Sequence, residues 1–237
     1  MRVLLTRPRE DSEPLAAALR EHGVEALIEP LLNIEWLPGP PLDLDGVQAL
    51  LATSANGVRS FAARETRRGL PVYAVGDATA RIAHESGFAT VESASGDVES
   101  LADLVRRRLD PADGALLHAA GTAVAGDLAG RVEAAGFRYR RVVLYRARKT
   151  GRLSSGAVRA IRDRNVDGVV LYSPRTAETF VALVAEARST AACRSLTAYC
   201  LSEAVATKAG AIGWNRIVVA GRPDQAAMVE TVCSRTG

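Results

Sequence analysis

The chain is short of the features that announce most enzyme classes. Aromatic residues make up only 5% of its 237 positions, so its cores must be built from Val, Leu, Ile and Ala. Its cysteines, Cys193, Cys200 and Cys233, are odd in number and show no CxxC or Cys/His spacing. That excludes a disulfide framework and a patterned metal site, and points to a reducing cytoplasm. No apolar run approaches the roughly 18 residues of a membrane span. Met1 leads straight into RVLLTR with no basic region and apolar core, so neither a targeting segment nor membrane association is expected. The net charge is +3, with 30 Lys and Arg interspersed among 27 Asp and Glu. Nucleic-acid binding calls for basic residues on one face with aromatic partners, and that pattern is missing. No GxGxxG follows a strand, and neither a P-loop nor a GxSxG elbow occurs. His22, His84 and His118 are scattered outside any nucleophile or metal pattern.

What the chain does have is an internal repeat. Val47 to Phe61, VQALLATSANGVRSF, is an apolar run that stops at Thr53 and Ser54 and enters a helix from about Asn56. This pattern is a buried strand feeding a helix N-terminus, whose first amides have no internal partners and attract anions. Ordinary capping by serine explains it equally well. Gly168 to Phe180, GVVLYSPRTAETF, repeats the construction with Ser173 on Ser54 and Phe180 on Phe61. The match continues without a gap as VYAVGDATARIAHESGF beside AYCLSEAVATKAGAIGW, which lays Gly76 on Ser202 and Gly87 on Gly213.

Two long extended segments, Val24 to Leu37 and Phe137 to Lys149, each follow a strand, a helix and a glycine. Pro30 interrupts the first and PGPP (Pro38 to Pro41) follows it, so it reads as a strand leaving its sheet to become a linker. Elsewhere strands alternate with helices, which predicts an α/β protein of two similar domains, each a parallel sheet flanked by helices. Residues 1–36 and 151–237 are expected to form domain 1 and residues 42–143 domain 2, with linker strands over 34–44 and 143–152. A strand is expected at Ala115 to Leu117, leading into a glycine-bearing turn at Gly121. Ligands of parallel sheets bind at the carboxyl ends of the strands. Candidate ligand-facing positions are therefore Arg7, Thr53, Ser54, Asn56, Gly76, Thr79, Gly121, Ser173, Pro174, Arg175, Ser202 and Glu203, all turned toward a cleft between the domains. Tyr145 ends the apolar run VVLY where the chain leaves one domain, and its phenol serves either as a donor to a ligand or as packing. The nearby Arg138, Arg140, Arg141, Arg146, Arg148 and Lys149 read as solvated, with a minority of them able to raise the local potential for an anionic ligand.

VLLTRP, LLATSANGVRSF, AVGDATA, SGDVESLADLV, VVLYRA, VVLYSPRTAETF and IVVAGRPDQAAMV, in this order and spacing, resemble the uroporphyrinogen-III synthase family over nearly the full length. The resemblance implies a HemD-like fold and a cytoplasmic, monomeric enzyme without metal or cofactor. It implies closure of the linear tetrapyrrole hydroxymethylbilane, with inversion of the last pyrrole ring and loss of water. The route implied runs through an azafulvenium-like electrophile and a spiro intermediate, so the protein chiefly folds the substrate and holds its carboxylates. The tyrosine favoured in the family for assisting departure of the hydroxyl falls on Tyr145, and the cleft-lining positions fall on Ser54, Thr79 and Ser173. One turn departs from the family pattern: CLSEAVA places Ser202 and Val205 where a glycine and a threonine are usual, and Glu203 adds a negative charge. The rival expectation is a cytosolic two-domain module that closes on a small polyanion without turnover.

Overall fold

A computed structural model of the protein describes residues 1–124 and 126–234; positions 125 and 235–237 of the expected domains lie outside the described residues. In chain order the elements are β1 (Arg2–Leu5), α1 (Arg9–Glu21), β2 (Glu25–Ile28), β3 (Leu32–Trp36), β4 (Val47–Ala52), α2 (Ala55–Arg64), β5 (Val72–Ala74), α3 (Asp77–Glu85), β6 (Val91–Ser93) and α4 (Val98–Arg108). They continue with β7 (Ala115–Gly121), α5 (Leu128–Ala134), β8 (Arg138–Lys149), α6 (Ser155–Arg162), β9 (Gly168–Leu171), α7 (Pro174–Glu186), β10 (Thr197–Cys200), α8 (Glu203–Ala209), β11 (Arg216–Val219) and α9 (Gln225–Cys233). These elements separate into two compact units, residues 1–33 with 148 onward, and residues 34–147.

The first unit contains a five-stranded sheet in the order β11-β10-β9-β1-β2, with every pair parallel. Because successive side chains of a strand point to opposite faces, each strand feeds two cores. Val3 and Leu5 enter one with Leu15, Leu19 and Met228, while Leu4 enters the other with Val169, Phe180 and Ala198. The second sheet runs β3-β8-β7-β4-β5-β6. Its central strand β4 sends Leu50 and Ala52 into one core with Phe61 and Phe88, and Ala49 and Leu51 into the other with Leu101 and Leu116. Leu50 and Leu51 are fully buried, and each such side chain contributes on the order of 1.5–3 kcal/mol. The scarce aromatics are placed in matching positions of the repeat: Phe61 and Phe88 pack with ring centroids 6.0 Å apart, Phe180 and Trp214 at 5.7 Å.

Three local expectations change. Val24 to Leu37 is two strands, β2 and β3, which join different sheets; the break falls at residues 29–31, around Pro30, where the chain lacks a ladder donor. Strand β7 runs four residues past Leu117 to Gly121, so Gly121 ends a buried strand and does not sit in a turn. Its continuation depends on the neighbours that satisfy the imidazole of His118, a polar group inside an otherwise apolar strand. Arg140 and Arg141 are not simply solvated. Arg140 donates to the backbone oxygens of Asp43 and Asp45 and pairs with the Asp43 carboxylate at 2.7 Å, and Arg141 donates to the carbonyl of Gly121 at 2.7 Å.

The first sheet has one steric weak point. A Cβ on Gly168 would lie 2.6 Å from the Tyr199 ring and 2.7 Å from the Thr197 carbonyl oxygen, both part of the neighbouring strand. Gly168→Ala is expected to cost about 1–3 kcal/mol through overpacking, read as a lower urea midpoint, with an unchanged midpoint contradicting this packing.

Candidate functional site

In the second unit, three of the residues singled out in the sequence meet at the carboxyl end of the sheet. Ser54 caps α2 from extended backbone, its hydroxyl accepting the amide of Gly57 at 3.1 Å. The same oxygen lies 2.7 Å from the Tyr145 hydroxyl. Gly121 makes room for this pair, since a Cβ there would stand 2.7 Å from the Tyr145 ring carbon that carries the hydroxyl. Gly57 does the same for the helix: a Cβ there would collide with the carbonyl oxygen of Ala119 on β7. Whichever hydroxyl donates in the Ser54–Tyr145 bond, one O–H proton of the two stays unspent and can be offered to a ligand oxygen.

Thr53, the next residue toward β4, is tied inward. Its hydroxyl lies 2.9 Å from Nε2 of His118, whose Nδ1 lies 2.6 Å from the Tyr139 hydroxyl. His118 is 1% exposed, and burial, assisted by the charge of Arg141, lowers its pKa from 6.5 to about 4. The imidazole is therefore neutral at pH 7 and works as a hydrogen-bonding spacer, not as a cation. Neither His118 nor Tyr139 stood out in the sequence as a site residue. The signal available was a lone histidine within ALLHAAG, which requires buried partners without saying which.

The remaining candidates of this unit sit at two helix starts. Asn56, in the first turn of α2, accepts from Arg59 at 3.3 Å. Gly76 caps α3 without a side-chain bond, and Thr79 is buried one turn in. Asp77 occupies that first turn. Its carboxylate takes bonds from Ser93 at 2.5 Å and Ser95 at 2.8 Å, which hold its pKa below the ordinary value.

The first unit repeats the capping geometry with different partners. Ser173 caps α7 by accepting the Thr176 amide at 3.1 Å, but its hydroxyl meets the Thr176 hydroxyl at 2.8 Å, where Ser54 meets a tyrosine. Pro174 occupies the first helical turn, where its missing N–H costs nothing, and Arg175 is exposed beside it. Ser202 starts α8 without a capping bond, Glu203 is exposed in its first turn, and Val205 is buried. Arg7, at the end of β1, forms an ion pair with Asp11 at 3.1 Å and lies 4.4 Å over the ring of Tyr172. The Tyr172 hydroxyl is buried with no well-formed hydrogen bond, and desolvation pushes its pKa up to about 12.

The helix starts thus fall into two kinds. Those of α3 and α8 already carry a carboxylate, Asp77 or Glu203, in the first turn, whereas α2 and α7 carry none. A carboxylate there offsets the positive end of the helix and repels a second anion, so α2 and α7 are the starts best suited to an anionic ligand. A hollow of about 410 Å³ beside Pro38–Asp43 offers no comparable chemistry, because Arg64 and Arg140 on its wall are committed to backbone oxygens and Asp43.

Burial of His118 has a measurable consequence. Its folded pKa lies below the ordinary value, so between pH 6.5 and about 4 the unfolded chain binds a proton that the folded chain refuses. Stability from this group is complete above pH 6.5 and is lost as pH falls toward 4, by up to about 1.4 kcal/mol per pH unit. Urea unfolding across this range is expected to show a shallower pH slope for His118→Gln than for the parent, since other titrating groups contribute equally to both. Equal slopes would mean that the folded imidazole titrates normally.

No curated protein matches the sequence. Among solved structures, the chain is similar to the uroporphyrinogen-III synthetase of Helicobacter pylori, at 16% identity and a TM-score of 0.61 over 99% of each chain. It is also similar to a mutant uroporphyrinogen III synthase of the extremely thermophilic bacterium Thermus thermophilus, at 17% identity and a TM-score of 0.54 over 100% of each chain. At such identities the likeness establishes the fold alone, a two-domain α/β protein with parallel sheets flanked by helices. A family model described as uroporphyrinogen-III synthase HemD matches residues 13–230. With that match spanning nearly the whole chain, the protein belongs to the uroporphyrinogen-III synthase family.

Proposed function

We propose that the protein closes hydroxymethylbilane to uroporphyrinogen III with inversion of the last ring and loss of water, and that Tyr145 is its catalytic residue. The observation that carries the role of Tyr145 is its 2.7 Å hydroxyl contact with Ser54 at the uncompensated start of α2. A substrate carboxylate at that start accepts the free first-turn amides, while the unspent O–H of the pair points a proton at the departing hydroxyl. The C–O bond breaks with its electron pair on oxygen, the proton joins it, and water leaves. What remains is an electrophilic carbon that the substituted position of the last ring attacks; the spiro intermediate so formed breaks that position's older bond to its bridge carbon, the bridge carbon bonds to the ring's free position instead, and the proton lost there restores the donor. The substrate supplies the reactivity, and the protein supplies position and a proton donor.

The other substrate contacts follow the same chemistry. Thr53, Asn56, Gly121, Gly76 and Thr79 belong to the carboxyl edge of the second unit; Arg7, Ser173, Pro174, Arg175, Ser202 and Glu203 belong to that of the first. Arg7 and the α7 start are the strongest anion holders of the first unit, because Glu203 opposes an anion at α8. The protein is proposed to work in the cytoplasm as a monomer, without metal, cofactor or nucleic acid; no helix among the described residues is long and apolar enough to cross a membrane. A binding module without turnover is the less favoured reading, since the family match runs over residues 13–230.

The test is a coupled assay with freshly generated hydroxymethylbilane, in which oxidised products are separated into type I and type III isomers. Type III product above the spontaneous type I background is expected from the parent protein. Tyr145→Phe is expected to lower kcat by roughly 100-fold or more, the low end of the range for a lost proton donor, with an unchanged unfolding midpoint. Type I product alone from folded parent protein would overturn the synthase reading, and full activity in Tyr145→Phe would remove the phenol from the mechanism.

A further inference from the structure

We infer that His118 and Tyr139 are positioning residues which fix the direction of the Thr53 hydroxyl, so that its proton is kept for a substrate carboxylate. This inference rests on the synthase reading and adds to it a polarised donor beside the Ser54–Tyr145 pair. Tyr139 and His118 lie on the adjacent parallel strands β8 and β7 and Thr53 directly follows β4; the register places His118 next to Leu51 of β4 on one side and Arg141 of β8 on the other. They form one line of contacts, Tyr139 to His118 Nδ1 at 2.6 Å and His118 Nε2 to Thr53 at 2.9 Å.

The direction of that line follows from counting protons. A neutral imidazole has one N–H and one acceptor nitrogen. Of the two hydroxyls that touch the imidazole, the Tyr139 phenol is the more acidic and so the better donor, and it gives its proton to Nδ1. Burial raises the phenol's pKa, which keeps that proton in place at neutral pH. With Nδ1 accepting, the imidazole proton sits on Nε2 and is donated to Thr53 Oγ. The Thr53 hydroxyl, which forms no other hydrogen bond among the described residues, then has one lone pair engaged from within and its own proton left over. That proton can be donated outward, and the hydrogen bond Thr53 receives from His118 strengthens the one it gives. In the opposite tautomer Thr53 would spend its proton on Nε2 and present only lone pairs, which repel a carboxylate.

The wild-type tautomer can be read directly. Long-range proton–nitrogen correlation on protein with labelled histidine is expected to show His118 as the Nε2–H form. Tyr139→Phe keeps the ring and removes only the hydroxyl, freeing Nδ1. It is expected to raise KM for hydroxymethylbilane about five- to tenfold with kcat within about twofold, the size of one ordinary hydrogen bond. Thr53→Val is expected to raise KM at least as much and Thr53→Ser to restore it. The double variant Tyr139→Phe with Thr53→Val should be no worse than Thr53→Val alone, because both act through one hydroxyl. An Nδ1–H imidazole in active wild-type protein, an unchanged KM in Tyr139→Phe, or additive effects in the double variant would each overturn the inference. Absence of type III product from the wild type would instead strike the synthase reading beneath it.

Discussion

The chemistry of the second unit depends on how closely the first turn of α2 lies against the end of β7. Two glycines make that approach possible. Gly57 lets the helix start sit on the Ala119 carbonyl, and Gly121 lets the Tyr145 ring lie flat enough for its hydroxyl to meet Ser54. A methyl group at either position would collide with backbone or with the tyrosine itself. Both glycines are needed because parallel strands bring β4, β7 and β8 side by side, so the residues that leave their carboxyl ends compete for the same few ångströms. The Ser54 and Tyr145 hydroxyls occupy what the glycines leave open.

Charge then sorts the helix starts that the fold repeats. Every strand-to-helix turn of such a sheet offers unpaired amides, yet an acidic residue in the first turn satisfies the same field that would hold a ligand. Asp77 and Glu203 do this at α3 and α8, whereas α2 and α7 leave the field open. Burial does related sorting among the titratable groups: it keeps His118 neutral and the Tyr139 and Tyr172 phenols protonated, so the polar groups behind the turns act as fixed dipoles.

The parts of the fold that follow from local pattern were legible in the sequence. Apolar runs closed by Ser54 and Ser173, aromatics at Phe61 and Phe180, and the gapless match downstream gave the strand-to-helix units and their repetition, because capping and burial are written within a few neighbouring residues. The site was legible only as a set of turns. That Tyr145 meets Ser54, 91 positions earlier, depends on sheet order and on Gly121 ending a strand. His118 was hard to read for the opposite reason: a polar residue in an apolar run looks like the end of a strand, and the hydroxyls that let the strand continue come from Thr53 after β4 and Tyr139 on β8. Arg140 and Arg141 looked solvated because all but one of their acceptors, the Asp43 carboxylate, are backbone oxygens, which no side-chain pattern displays.

The repeat leaves the two units alike in frame and unlike in chemistry. Ser54 and Ser173 cap their helices with the same 3.1 Å bond, but the second hydroxyl at hand is the Tyr145 phenol in one case and the Thr176 side chain in the other. Thr176 belongs to the same helical turn as Ser173, whereas Tyr145 arrives from a different strand and brings a phenol hydroxyl. Duplication of a strand-to-helix turn therefore yields two like helix starts, and a residue from outside the turn is what sets one of them apart.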